Sequence, residues 1–522
     1  MTTDVPTRQE EADAWAGKAR LWAAVGAVTL AGAAIRLFQI GFESIWFDEA
    51  LTRRWITRPT WGETLGIMAH GDHPPLYFAA LRAWAALFSD RLVSLRAFSA
   101  VFSILTIPLF YLLGRLIVGR RSALFAAVLL AFSPYHLYYA QEARSYAFLV
   151  FWEVLLFWSL ASVHRAALQG RSAPWAMRGA AWLAVCAMLY THYWSLFVFL
   201  GALGLWVLAV WEKPRSKRVW TESGLWLALA VPAAVPCVWI VLQRAGTGKG
   251  AAWLKPLDAQ GIAGVLVAFS YGAIITPRSI WVLILCAAGA FGLAGLSVWF
   301  LRSEARKERA NRGQRRSVAA WDTLLTLLGA TLVLPALISI KRPVMFYGQR
   351  YEIVATIPWI LLLGAGLGRL WQRRMGKWAA LAILAAILAG NGFYFDNYFN
   401  SRQKRAYDSV AGFLKERMRQ DDAIVVVPED SADCLLYYMP EGKTVLPPRP
   451  SAILGWAQGH PRSTLFWVSI REKADPAEAQ IQSLFTRGPS GVSRVGGIPG
   501  MLLRVTAYAG SPAQTPGKGQ TP

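Results

Sequence analysis

About eleven apolar stretches punctuate the chain, most of them about 18 to 23 residues long, the length of helix that crosses the hydrocarbon of a bilayer. They lie at about 21–40, 96–118, 122–139, 145–163, 178–193, 195–211, 220–242, 279–301, 320–340, 353–370 and 377–393. Of the 522 residues 55% are apolar and 16% are charged, which fits an α-helical polytopic membrane protein and excludes an ordinary soluble domain. The formal charge of +23 could mark a nucleic-acid partner. Most of the Lys and Arg, however, lie in short loops between apolar runs, where they orient the chain in the membrane, so no nucleic acid is expected.

The basic loops GRR (119–121), HRAALQGR (164–171), EKPRSKR (212–218), LRSEARKERANRGQRR (301–316) and WQRRMGK (371–377) all fall on one side of this span order. By the positive-inside rule that side is cytoplasmic, together with the N-terminal segment 1–20. That segment is polar and carries acidic residues, unlike a cleavable signal peptide, so the first span is expected to stay as an anchor in a multi-pass protein of the inner (plasma) membrane. The opposite, external face then receives every polar cluster with chemical potential. A transporter would tend to hold such groups near the bilayer midplane instead.

After Tyr394 the composition becomes that of a soluble domain. SRQKRAYDSVAGFLKERMRQ has apolar positions at helical spacing, DAIVVVP, STLFWVSI and MLLRVTAY read as strands, and DPAEAQIQSLFTR reads as a helix between the last two. These predict a small external α/β domain over 396–508, with a disordered tail at 509–522. The four cysteines, Cys186, Cys237, Cys286 and Cys434, have no CxxC spacing and indicate neither a disulfide framework nor a thiolate metal site.

Five clusters on the external side carry the candidate chemistry. SIWFDEALTRRW (44–55) sets Asp48 and Glu49 among aromatic side chains. Solvated loop charges are one reading; the other is a base, because partial desolvation at the headgroup boundary strengthens a carboxylate as a proton acceptor. HGDHPPLYF (70–78) fixes His73 on a proline-stiffened turn. His70, Asp72 and His73 could also bind a divalent ion, although their spacing is not diagnostic. YHLYYAQEARSY (135–146) puts Glu142 and Arg144 at the end of a span, either as a structural pair or as a phosphate site, since guanidinium grips phosphate oxygens bidentately. KRPVMFYGQRYE (341–352) sets Arg350 and Tyr351 before another span, where an arginine can simply snorkel to the interface. THYW (191–194) is explained by an aromatic belt without any function.

Taken in order, WFDEA, GDHPPLYF, SPYHLYYAQEARSYA and YTHYW resemble the bacterial members of the protein O-mannosyltransferase and lipid A aminoarabinose transferase superfamily, the GT-C glycosyltransferases often labelled family 39. The resemblance covers about 21–395, expected to be the GT-C transmembrane domain. It implies transfer of a sugar from a polyprenyl-phosphate carrier to a lipid, glycan or protein acceptor on the external face. Asp48 matches the family's first-loop aspartate, the base for the acceptor hydroxyl, and Glu49 matches the neighbour that positions the acceptor or the base. His73, Glu142, Arg144 and Arg350 match positions of the donor pocket and its phosphate. Tyr139, His192 and Tyr351 are placed with them as substrate-binding residues.

A glycosyl phosphate already has a good leaving group, so one base and cations for the departing phosphate suffice. A single attack on the anomeric carbon implies inversion. No DxD motif is evident in the external loops, so no cofactor or metal is obligatory, although a divalent cation is possible. The rival readings are a transporter or flippase of lipid-linked sugars and a non-catalytic scaffold of the same fold.

Overall fold

The computed structural model describes residues 8–70, 73–247, 257, 261, 264–265, 267–269, 280–311, 318–341, 350–469, 491–495 and 503–509. The chain divides into two compact units, one of 1–40 with 59–396 and one of 41–58 with 397–522.

The first unit is helical, and each of the expected apolar stretches falls on described helix, some of them on more than one element. Among the described residues eight helices are long and apolar enough to cross a membrane, nine if a bent pair counts as one span. Helix α1 (Arg8–Leu37) precedes the short helices α3 (Trp61–His70) and α4 (Leu76–Leu87), which stand before the long α5 (Leu92–Ile117). The expected span at 122–139 is two helices, α6 (Arg120–Ala131) and α7 (Pro134–Ala140), bent by 55°. Ser133 and Pro134 cause the break: proline at the first position of α7 cannot donate back into α6, and Ser133 Oγ caps the new helix by accepting from His136 N.

Three polar side chains take up backbone groups around that break. The buried Arg36 donates to the carbonyls of Leu130 and Ala131 in the last turn of α6, at 3.1 and 2.7 Å, and to Ser103 Oγ at 2.8 Å. Asn391 donates to Phe132 O at 2.9 Å, and Gln141 donates to the carbonyls of Arg36 and Phe38. The end of α6 is therefore held by α1 and by the helix Gly376–Asn400, and the segment that follows the break is tied to the end of α1 through Gln141.

Helices α8 (Tyr146–Leu168), α9 (Trp175–Leu189), α10 (Ser195–Glu212) and α11 (Lys217–Thr247) complete the N-terminal half of the bundle. The stretch Tyr351–Trp371 is its centre, with 89% of its apolar window buried. It approaches α6 so closely that a Cβ added at Gly364 would lie 2.6 Å from Ala126 Cβ and 2.7 Å from Ser122 O. Small residues at such a crossing let two backbones meet inside lipid, where no hydrophobic force draws helices together.

The second unit holds a five-stranded sheet in the order β2-β1-β3-β5-β4. Its strands are β1 (Ala423–Val427), β2 (Thr444–Leu446), β3 (Thr464–Ser469), β4 (Gly491–Val495) and β5 (Leu503–Ala509). β1 runs parallel to β2 and β3, while β5 is antiparallel to β3 and β4. Val425, Leu465, Trp467 and Tyr508 bury one face together with Ile453 and Ala457 of the helix Pro450–Gly459. The expected strands at DAIVVVP, STLFWVSI and MLLRVTAY are β1, β3 and β5; β2 and β4 were not expected. The expected helix DPAEAQIQSLFTR and the residues after 509 lie outside the described residues. Helix α2 (Phe47–Ile56), which carries Asp48 and Glu49, belongs to this unit.

Candidate active site

In the first unit, four of the sequence clusters converge. The HPPL turn and the THYW turn are tied by the backbone, Leu76 N donating to Tyr190 O at 2.8 Å. Pro74 and Pro75 have no N–H, so Leu76 offers the first amide after His73. Across from this turn, Nη2 of Arg144 lies 3.2 Å from Nε2 of His73. Guanidinium only donates, so this imidazole nitrogen accepts and the ring proton sits on Nδ1. The backbone carbonyl of Arg144 is itself held by Ser99 Oγ at 3.3 Å.

His192 stands 6.1 Å from His73, ring to ring, and packs at 6.0 Å against Tyr146 and 5.0 Å against Tyr351. Its Nδ1 accepts from Trp194 N at 3.1 Å, and Trp194 stacks beside Tyr351 at 5.4 Å. Burial, and secondarily the positive charge of Arg144, push the His192 pKa down to about 3, so the ring is neutral at physiological pH. Tyr139 meets Tyr146 at 4.7 Å and Tyr135 at 5.2 Å, extending an aromatic wall behind the charged groups. Arg350 is half-buried and within electrostatic reach of Tyr135 and Tyr139; the buried Glu142 is within reach of Tyr139 and Tyr394.

Two guanidinium groups and neutral imidazoles against a wall of tyrosine and tryptophan can hold a phosphate beside a sugar ring. Arginine supplies charge and a donor fork, and aromatic faces pack on the C–H surface of a pyranose. His73, Tyr139, Glu142, Arg144, His192, Arg350 and Tyr351 thus all belong to one neighbourhood. Sequence reasoning did not single out Tyr135, Tyr146 and Trp194, although each stands inside a quoted motif.

In the second unit, Asp48 and Glu49 occupy the first turn of α2, where the helix dipole favours negative side chains. Their environments differ. Asp48 is half-buried, and its carbonyl accepts from Thr52 Oγ1 at 2.7 Å. Glu49 is fully buried and paired with Nζ of the buried Lys404 at 3.2 Å. Below them, Cys434 has its thiol pKa pushed up to about 12, by burial first and then by the charges of Asp433, Glu49 and Asp48.

No group of three or more His, Cys, Asp or Glu converges as metal ligands among the described residues. Of the divalent-ion candidate, His73 is described, but the side chain of His70 and all of Asp72 lie outside the described residues. The FYGQ part of the fourth cluster and most of the 243–277 loop lie outside them too.

Residues 72–241 match the sequence profile of the dolichyl-phosphate-mannose-protein mannosyltransferase family. The structure is similar to that of ArnT from Cupriavidus metallidurans in the apo state, at 12% identity over 95% of this chain and 98% of that chain, with a TM-score of 0.57. Against the same protein bound to undecaprenyl phosphate the TM-score is 0.51, at 12% identity over 94% and 98% of the two chains. The archaeal oligosaccharyltransferase AglB from Archaeoglobus fulgidus, in complex with an inhibitory peptide and a dolichol-phosphate, matches at a TM-score of 0.53 and 11% identity, over 92% of this chain and 73% of that chain. Compared by sequence with curated proteins, the chain has no match.

Proposed function

We propose that this chain, a multi-pass membrane protein with the fold of the GT-C glycosyltransferases, transfers a sugar from a polyprenyl-phosphate donor to an acceptor hydroxyl on the external face of the inner (plasma) membrane. The observation that carries this reading is the convergence of the buried Arg144 with His73, His192 and Tyr351 in one aromatic neighbourhood. Undecaprenyl phosphate bound to ArnT and dolichol-phosphate bound to AglB are lipid carriers of the class such a neighbourhood would take.

In the proposed reaction Asp48 accepts the proton of the acceptor hydroxyl, the oxygen attacks the anomeric carbon, and the bond from that carbon to the phosphate oxygen breaks with inversion. The carrier leaves as a phosphate monoester, gaining a negative charge that the donor diester lacked. Cations near the phosphate therefore stabilise the transition state more than the ground state, which is the condition for accelerating the step. Arg144 and Arg350 take this role, while Tyr139, His192 and Tyr351 pack the sugar and the carrier head. His73 holds the Arg144 guanidinium in place, and Glu142 stands in the same neighbourhood beside Tyr139. No step requires a metal, and a divalent cation would serve only as a further charge on the phosphate.

One observation favours the transporter reading. Glu153 lies buried within the spanning helix α8, and its carboxylate has no hydrogen-bond partner among the described residues; ionisable groups at such depth often line a translocation path. A panel of polyprenyl-phosphate sugars in proteoliposomes separates the two. Net release of the free polyprenyl phosphate with sugar appearing on an acceptor supports transfer. Movement of intact donor between leaflets, without release, would replace it with transport.

A further inference from the structure

We infer that Lys404 is a positioning residue for Asp48, acting through Glu49; this rests on the reading of Asp48 as the base. Asp48 and Glu49 are successive residues on a helix, so their side chains leave its axis about 100° apart. Pinning Glu49 inward therefore turns Asp48 outward, which matches the full burial of one and the half-burial of the other. The pin is the Lys404–Glu49 pair, both side chains removed from water.

The segment that delivers Lys404 is itself clamped to the start of α2. Both oxygens of Glu43 accept from the strap, Oε1 from Gln403 N at 2.7 Å and Oε2 from Lys404 N at 3.0 Å. The indole of Trp46, the residue just before α2, lies 5.5 Å from Lys404 Nζ. Further along the same unit, Tyr438 Oη accepts from Ile45 N at 2.8 Å. Glu43, Ile45, Trp46 and Glu49, on both sides of Asp48 in sequence, are thus tied to the stretch 403–438.

A buried Lys–Glu pair is a poor device for stability, because desolvating the two charges costs about as much as their attraction returns. Its use here is directional. An ammonium between a carboxylate and an indole face fixes the rotation of α2 about its axis, which an apolar filler of the same volume would leave free. The C-terminal unit is in this view part of the catalytic apparatus, setting the angle of the base.

The test uses the full chain in nanodiscs, with hydrogen exchange and sugar transfer measured on the same preparations. Lys404→Met is expected to speed amide exchange in 43–52 at least tenfold while β1 and β3 are unchanged. Its kcat is expected to fall at least tenfold with the donor KM within twofold, and Lys404→Arg is expected to recover most of the loss. Glu49→Gln, a smaller perturbation, should reproduce both effects, and the double variant should be no worse than either single one. Unchanged exchange at 43–52 in both variants would overturn the inference. So would equal acceleration across the whole sheet, which would make the pair a general structural element. If Asp48→Asn retains full activity while Lys404→Met still loosens 43–52, the base assignment is what fails, and the coupling of strap to helix stands on exchange alone.

Discussion

Arg144 donates from Nη2 to Nε2 of His73 at 3.2 Å, joining the turn after α7 to the proline turn before α4. That single bond unites two motifs separated by about seventy positions, and it aims the side chain of a residue only 5% exposed. Losing a charge-assisted hydrogen bond to phosphate removes about 1.5–3 kcal/mol. Arg144→Ala should therefore lower kcat/KM for the donor about ten- to a hundredfold, largely through kcat, with Arg350→Ala acting in the same direction. Steady-state kinetics at varied donor check this, and unchanged donor kinetics in both variants would reject the phosphate role.

His192 makes stability depend on pH. Its imidazole is held neutral in the fold down to about pH 3, whereas the unfolded chain takes up the proton near its ordinary value of 6.5. Between those values the unfolded state binds more protons, so stability is undiminished above about pH 6.5 and falls as the pH drops toward 3. The Tm should fall between pH 7 and pH 4.5, and His192→Asn, whose side-chain oxygen can still accept from Trp194 N, should flatten that fall. An equal slope in the variant would place the pH dependence elsewhere.

The membrane part of the fold was open to sequence reading because lipid enforces a local rule: every apolar stretch must close its own backbone hydrogen bonds, so length and composition suffice. The break at Ser133–Pro134 was written in the chain and overlooked, since the apolar run continues through it. Strands β1, β3 and β5 carry β-branched and aromatic runs, while β2 has only three residues and no pattern. Membership of 41–58 in the C-terminal unit had no sequence signal at all. It rests on contacts such as Glu49 with Lys404, across 355 positions. The candidate site residues stand in motifs that the sequence displays, but the separate fates of Asp48 and Glu49 followed only from which of the two faces Lys404.

Close approach of the central helix to α6 gives a stability prediction. Gly364→Val would drive side-chain carbon into Ala126 Cβ and Ser122 O, an overpacking that costs roughly 1–3 kcal/mol or more. Thermal unfolding in detergent should show a Tm several degrees lower, whereas Gly392→Ala, whose added Cβ meets nothing within 4 Å, should not lower it. Equal Tm values for the two would mean the crossing is looser than its geometry.

Orientation is checked by labelling. A cysteine placed by Asp48→Cys should react with a membrane-impermeant thiol reagent from outside the cell, and one placed by Lys307→Cys only after the cytoplasmic face is opened. The opposite pattern would invert the topology. Native Cys434, fully buried with its thiol pKa pushed up to about 12, should remain unlabelled in both.

The most direct measurement is sugar transfer by Asp48→Asn in proteoliposomes supplied with a polyprenyl-phosphate sugar. A carboxamide keeps the shape of the side chain and cannot take the acceptor's proton, so kcat should drop by about a hundredfold or more while expression and donor binding stay near wild type. Transfer at the wild-type rate would contradict the assignment of Asp48 as the base.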